Sequence, residues 1–341
     1  MTVPKPIEEY LMRKPMTALT CLAMIVAACG GVASTTSTTA VGPGQTTIPG
    51  STSTSMSTPS TTAPAPSSST TPTTTATTTT TIAASTTTTT QPAGPIELGV
   101  YFYIDEAGHP ERPGPFLVPV ARVVPHTLAV ARAAIEELLA GPSADTVSDI
   151  PEISTLIPEG VDVLGLDIED GLATIDLSSE FEGSDASAAT AQRLAQVVFT
   201  LTRFDTVDRV EFHQDGLKIQ AQTGDGQLVD RPVTRDDYLE FAAALDIERP
   251  VYGGRASNPL RVTGFGAVFE AAFLYRLTDA EDHVLAEGQA MTDLGTGWGS
   301  FDFTIPYTVD RRQMGSLVVW DDSAKDGSAI DIRQYPVLLE P

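Results

Sequence analysis

The side chains in this sequence that could do chemistry are few and lie far apart. Its two cysteines are Cys21 and Cys29, and Cys29 closes the run Val26-Ala27-Ala28-Cys29. Four histidines, His109, His126, His213 and His283, lack the spacing of a metal site and read as surface or turn residues. The cluster Asp176-Leu177-Ser178-Ser179-Glu180 puts two carboxylates and two hydroxyls at the end of an expected strand. Such a strand end can hold a ligand, or it can cap the next helix through local hydrogen bonds. Asp321, Asp322 and Asp326 precede Gly327 with the residue types of a calcium loop, but Ala324 stands where a ligand is needed and no Glu follows at the twelfth position. A polar turn is expected there, with Asp322 and Asp326 as its candidate binding residues. Trp298, between Gly297 and Gly299, is either a core or edge aromatic or a platform for a sugar ring.

Reaction motifs are missing. There is no Gly-x-Ser-x-Gly elbow, metalloprotease His pair or phosphate-binding Gly/Lys loop. Gly264-Phe265-Gly266 lacks the third glycine of a dinucleotide site. Carboxylates are abundant enough for pairs to arise by chance, so they are no evidence for glycoside hydrolysis without geometry. No catalytic residue, cofactor or metal is therefore expected. The formal charge of −24 comes almost entirely from the part after Pro95, since residues 34–95 contain no charged side chain. So acidic a surface repels phosphate backbones and anionic lipid, so nucleic acid is not an expected partner.

Arg13 and Lys14 form the positive flank of a secretion signal, and Met16 to Ala28 its apolar segment. At about 13 residues this segment is too short to span a bilayer, which takes about 20. With Gly30 and Gly31 following, Val26-Ala27-Ala28-Cys29 resembles the lipobox of bacterial lipoproteins, Val26 standing where Leu is commoner. The resemblance implies removal of residues 1–28, lipidation of Cys29, and a chain held on the outer side of the cell membrane. Two or more acyl chains anchor stably, whereas one binds only marginally. Residues 29–95 then form a disordered tether rich in Ser, Thr and Pro, with too little apolar surface to offset its conformational entropy. About 60 such residues have a root-mean-square span of about 45 Å and an extended reach of about 190 Å. The composition also suits O-glycosylation.

About 245 residues remain, enough for two domains. In residues 96–245, strands are expected at Leu98–Ile104 and Phe116–Val124. A helix capped by Thr127 follows, burying Leu128, Ala131, Ile135, Leu138 and Leu139 up to Gly141-Pro142. Val161–Ile168 and Leu172–Leu177 read as a hairpin around Asp170-Gly171. A helix over Ala186–Arg203, capped by Ser184 or Asp185, would bury Ala191, Leu194, Ala195, Val198, Phe199 and Leu201. Strands Val207–Phe212 and Leu217–Ala221 flank Asp215-Gly216, and a last helix is expected from Thr234 to Leu245. This order predicts an α+β domain, a mixed sheet with helices on one face. The runs Leu98-Gly-Val-Tyr-Phe-Tyr103, Val124-Pro-His-Thr127, Leu139-Ala-Gly-Pro142, Ala173-Thr-Ile-Asp-Leu-Ser-Ser-Glu-Phe181 and Leu194-Ala-Gln-Val-Val-Phe-Thr-Leu201 together resemble the GerMN domain of sporulation and germination lipoproteins. That resemblance implies an envelope module concerned with assembling membrane complexes rather than with catalysis.

Residues 246–341 change to short alternating runs: Leu260–Gly264, Phe269–Leu277, Val284–Ala290, Gly299–Ile305, Ser316–Trp320 and Ile330–Leu339, with a weaker strand near Ile247. About seven such strands predict an all-β sandwich of two antiparallel sheets. Phe269-Glu-Ala-Ala-Phe-Leu-Tyr275, Gly297-Trp-Gly-Ser-Phe301 and Asp322-Ser-Ala-Lys-Asp-Gly-Ser328 resemble the Gmad family, the immunoglobulin-like domain of bacterial spore germination.

Anchor, tether and two modules without catalytic motifs lead to the expectation of a non-enzymatic envelope protein that binds another envelope protein or a wall polymer. A wall-directed hydrolase would instead need convergent carboxylates in a deep cleft. A small-molecule receptor would need a closed apolar pocket between the domains.

Overall fold

The computed structural model describes residues 94–105, 114–183 and 187–341. The expected signal segment, Cys29, nearly all of the tether, His109 and the capping candidates Ser184 and Asp185 lie outside them. Among the described residues, no helix is long and apolar enough to cross a membrane.

The N-terminal domain begins with β1 (Ile96–Ile104) and β2 (Phe116–Val124), antiparallel and in continuous register from Ile96 opposite Val124 to Ile104 opposite Phe116. The short β3 (Ile153–Ser154) lies on the other side of β1. Between them come α1 (Val130–Leu139) and α2 (Ala144–Asp149). A second sheet has the order β4 (Val163–Glu169), β5 (Gly171–Leu177), β6 (Val207–Gln214), β7 (Leu217–Lys218). β5 and β6 run parallel while their neighbours are antiparallel, which makes this the expected mixed sheet. A parallel pair needs a crossover connection, and α3 (Ser187–Leu201) supplies it. Asp170 and Gly171 both have positive φ, 48° and 77°, as a tight hairpin between right-twisting strands requires.

Three details of this domain differ from the sequence reading. α1 starts at Val130, and Leu128 is 94% exposed rather than buried. Thr127 accepts a hydrogen bond from the Ala129 N–H two residues on, a local turn that takes the hydroxyl out of the capping role. The segment Leu217–Ala221 breaks into β7 and β8 (Ala221–Gln222), and β8 pairs instead with β9 (Leu228–Val229). The expected last helix is a 3-10 turn over Arg235–Phe241, where the Asp237 carboxylate accepts from the Thr234 N–H at 2.9 Å; the chain is extended again from Leu245.

The C-terminal domain has seven strands: β10 (Leu245–Arg249), β11 (Leu260–Gly266), β12 (Ala272–Thr278), β13 (Val284–Met291), β14 (Gly299–Ile305), β15 (Gln313–Asp322) and β16 (Ala329–Leu339). They form two antiparallel sheets, β10-β11-β14 and β13-β12-β15-β16. Side chains from the two sheets meet in the middle, with the rings of Phe273 on β12 and Phe301 on β14 4.8 Å apart. Residues Phe269–Ala271, expected as strand, form a 3-10 turn with Glu270 and Ala271 at positive φ, which leaves Phe269 exposed.

Candidate functional site

The residues between β10 and β11 join the two domains by main-chain hydrogen bonds. The Tyr252 N–H donates to the Pro119 carbonyl of β2 at 2.7 Å, and the Ala121 N–H donates back to the Tyr252 carbonyl at 3.0 Å. Immediately afterwards the same segment turns to β16. The Gly253 N–H donates to the Pro336 carbonyl, the Ala256 N–H to the Leu338 carbonyl, and the Leu338 N–H to the Gly254 carbonyl, all at 2.8 to 2.9 Å. A linker with its own donors and acceptors committed to both neighbours is not a flexible hinge.

Under this linker lies a buried polar hub. Asp246 of β10 is fully buried, with the phenol oxygens of Tyr101 on β1 and Tyr335 on β16 each 3.5 Å from its carboxylate. Its pKa is raised to about 7, chiefly by burial and also by the nearby Glu248 carboxylate, against the opposing pull of Arg333, Arg235 and Arg203. Both tyrosines are held protonated by the same burial. Arg235 pairs with Glu248 and donates from Nε to the Thr202 Oγ1 at 2.6 Å. Its guanidinium lies over the rings of Phe199, Phe265 and Tyr101 at 5.1, 5.7 and 5.8 Å.

Two clefts open beside the hub. One, of about 620 Å³, is lined by Arg203, Arg235, Arg249 and Arg261 together with Asp205, Asp208, Asp236 and Glu248. The other, of about 340 Å³, carries Arg203, Arg249, Arg255 and Arg261 with Glu97 as its one acidic group. Both carry four arginines, and the smaller one also has Leu98, Phe204, Pro250, Val251 and Leu260 in its wall; neither is the closed apolar pocket that a small-molecule receptor would need. The sequence reading missed these arginines. Their signal was that Arg249, Arg255 and Arg261 recur at intervals of six residues in a chain with only 20 Lys and Arg.

Residues 99–220 match the family Germane, described as "Sporulation and spore germination", and residues 244–328 match Gmad2, the immunoglobulin-like domain of bacterial spore germination. The chain carries a Germane domain followed by a Gmad2 domain. The first GerMN domain of the sporulation protein GerM from Bacillus subtilis is similar, with 20% identity over 41% of this chain and 98% of that one, at a TM-score of 0.34. The tandem GerMN domains of the same protein give 17% identity over 64% of this chain and 63% of that one, at 0.34. A candidate lipoprotein from Clostridium perfringens gives 19% identity over 44% and 93%, at 0.29. The comparison with curated proteins gave no match.

The residues singled out in the sequence fall away from the junction clefts. In the Germane domain, Asp176 accepts from the Gly216 N–H at 3.0 Å, and the Ser178 hydroxyl accepts from the Asp162 N–H at 3.0 Å. The Ser179 carbonyl accepts from the Gln214 side chain at 3.1 Å. A hydrogen bond from Ser178 lowers the Glu180 pKa, and Ser179 begins a 3-10 turn through Glu182. Asp176 and the Ser179 carbonyl thus tie this segment to the end of β6 and the β6–β7 turn, while Ser178 ties it to Asp162. In the Gmad2 domain, Trp298 is half-buried against Phe265, 5.5 Å between ring centres. Asp322 is exposed, and Asp326 accepts from the Ser328 N–H and hydroxyl within its own turn. Asp321 is buried and accepts from the Phe269 N–H at 3.2 Å. Trp298, Asp322 and Asp326 belong to the Gmad2 domain and the Asp176–Glu180 cluster to the Germane domain.

Proposed function

We propose that the chain is a non-enzymatic lipoprotein of the cell envelope whose two domains act as one fixed binding and assembly unit, held outside the membrane by lipidated Cys29 and the tether. The observation that carries this reading is the linker bonded at once to β2 and β16, over the shared hub of Tyr101, Asp246 and Tyr335. Hydrolases and receptors that close on a substrate draw on hinges of low local stability. Here the place where a hinge would lie is the best-bonded part of the junction. A rigid two-domain body suits a part that presents a constant surface to a partner, and the family descriptions point to sporulation- or germination-type envelope complexes as its setting.

Labelling with a palmitate analogue and membrane fractionation test the anchor: the wild type carries label and sediments with membranes, and Cys29→Ala does neither. Crosslinking in intact cells tests the binding role, with an envelope protein or wall polymer recovered on the anchored chain and lost with Cys29→Ala. Release of soluble fragments from purified cell wall by the full chain would overturn the non-enzymatic assignment.

A further inference from the structure

We infer that the arginine-lined groove at the domain junction binds a linear polymer whose repeats carry oxyanions, either phosphodiester or carboxylate. The inference rests on the proposed reading of the chain as a binding unit and names the ligand class of that unit. The groove is the one of about 340 Å³, built by Glu97 of β1, Arg203 just after α3, Arg249 at the end of β10, Arg255 within the linker, and Arg261 of β11.

The chain has 44 acidic residues to 20 basic ones, so an arginine on its surface readily meets a carboxylate. Elsewhere arginines do so: Arg132 with Glu136, Arg231 with Asp237, Arg276 with Glu287 and Arg311 with Glu281. At the groove the pattern fails. Arg249 and Arg255 are exposed and make no ion pair with any described residue. The Glu97 carboxylate takes up the backbone N–H of Arg255 at 3.3 Å and so leaves that guanidinium open. Arg203 spends one N–H on the Glu248 carbonyl at 2.8 Å. Arg261, 60% exposed in its side chain, is fixed at the rim by two contacts to Asp302 at 3.0 and 2.6 Å. Guanidinium forks match phosphate and carboxylate geometry, and unpaired ones around a recess are an anion site in kind.

Two features favour a polymer over a single ion or a membrane. Arg203 from the first domain and Arg249, Arg255 and Arg261 from the second present several guanidinium groups to one groove, so affinity comes from repeated charge contacts along one strand. The rest of the body is strongly acidic, which disfavours a close-packed anionic bilayer or a nucleic acid with a charge every ~1.7 Å. A polymer with one charge per repeat places fewer like charges against the surrounding acidic surface, and beyond about 8 Å these are screened at physiological salt.

The test uses the full chain carrying Cys29→Ala, so that binding is read independently of the proposed anchor. Poly(glycerol phosphate) and polygalacturonate of matched length are titrated calorimetrically at two salt concentrations, beside monomeric glycerol phosphate. At least one polymer binds, and the one preferred identifies the oxyanion. Arg249→Gln with Arg255→Gln weakens that binding at least ~10-fold and reduces the log–log salt slope by about 2. Arg311→Gln with Arg312→Gln removes the same charge elsewhere and changes affinity less than ~2-fold, with unfolding midpoints of both variants matching the parent. Failure of both polymers to bind, equal loss in the two double variants, monomer binding as tight as polymer, or flotation with phosphatidylglycerol vesicles in place of polymer binding would each overturn the inference. Loss of membrane attachment with polymer binding intact would instead separate the anchor from the groove.

Discussion

The Tyr101 hydroxyl of the Germane domain lies 3.5 Å from the Asp246 carboxylate at the start of the Gmad2 domain, in an interior that water does not reach. That contact makes the junction sensitive to pH. Asp246 has a pKa near 7 when folded, against the usual 3.8 when unfolded. The folded state therefore holds a proton that the unfolded state releases, so stability from this group is complete below about pH 4 and is lost as pH rises through 7. The size is on the order of 4 kcal/mol across that window. Denaturant unfolding from pH 4 to 8 will show the wild type losing stability relative to Asp246→Asn. Superimposable profiles would mean that Asp246 does not titrate in the folded chain.

Arg235 is the second prediction. Its planar guanidinium covers three rings while pairing with Glu248 and bonding Thr202, which no ammonium can reproduce. Arg235→Lys should cost about 2–3 kcal/mol, and Arg235→Met about 3–5 kcal/mol because it leaves Glu248 unpaired beside the hub. Adding Glu248→Gln to Arg235→Met should restore part of that loss. Calorimetry reads both, and because the hub belongs to the two domains together, each variant should melt in one shifted transition rather than two.

Gly264 sits where β11 meets β10 most closely. A Cβ built there would lie 2.0 Å from the Asp246 carbonyl oxygen and 2.6 Å from the Phe301 ring. Gly264→Ala should therefore push β10 off its partner and cost at least ~2 kcal/mol, read as a lowered denaturation midpoint. The two glycines of Gly264-Phe265-Gly266 thus serve close strand approach, which the sequence alone could only set apart from a dinucleotide loop.

Much of the fold was legible because burial on one face leaves a period in the sequence. Phe301 and Ile305 are buried while Asp302 and Thr304 are exposed, as their alternation predicts. The Asp-Gly pairs at 170–171 and 215–216 adopt the positive φ their residue types favour. Periodicity misled where local chemistry intervened, as at Leu128, which Thr127 turns outward. It was silent about the junction, because the linker residues owe their extended form to β2 and β16, which lie far away in sequence. The arginines of the groove follow neither a helical nor a strand period, and it is their meeting at one recess in three dimensions that sets them apart.

The last case of silence gives the fourth prediction. β3 reaches only Tyr103 and Ile104 of β1, and Tyr101 stands opposite Pro119, so the backbone of Tyr101 needs partners from outside the sheet. α3 provides them from a second buried face that the apolar stripe does not reveal. The Tyr101 N–H donates to the Thr200 hydroxyl at 3.1 Å, and the Gln196 amide donates to the Tyr101 carbonyl at 3.1 Å. The Gln196 oxygen in turn accepts from the Leu156 N–H at 3.0 Å. The two bonds to Tyr101 are buried and the one to Leu156 is partly so; an unmet buried backbone group costs about 1–3 kcal/mol. Thr200→Val preserves shape and removes one acceptor, so it should cost about 1–2 kcal/mol. Gln196→Leu strands the Tyr101 carbonyl and the Leu156 N–H together and should cost more, about 2–4 kcal/mol. Hydrogen exchange should show the Tyr101 amide losing protection selectively in Thr200→Val. Uniform loss across β1 would instead mean that the helix holds this strand by apolar contact alone.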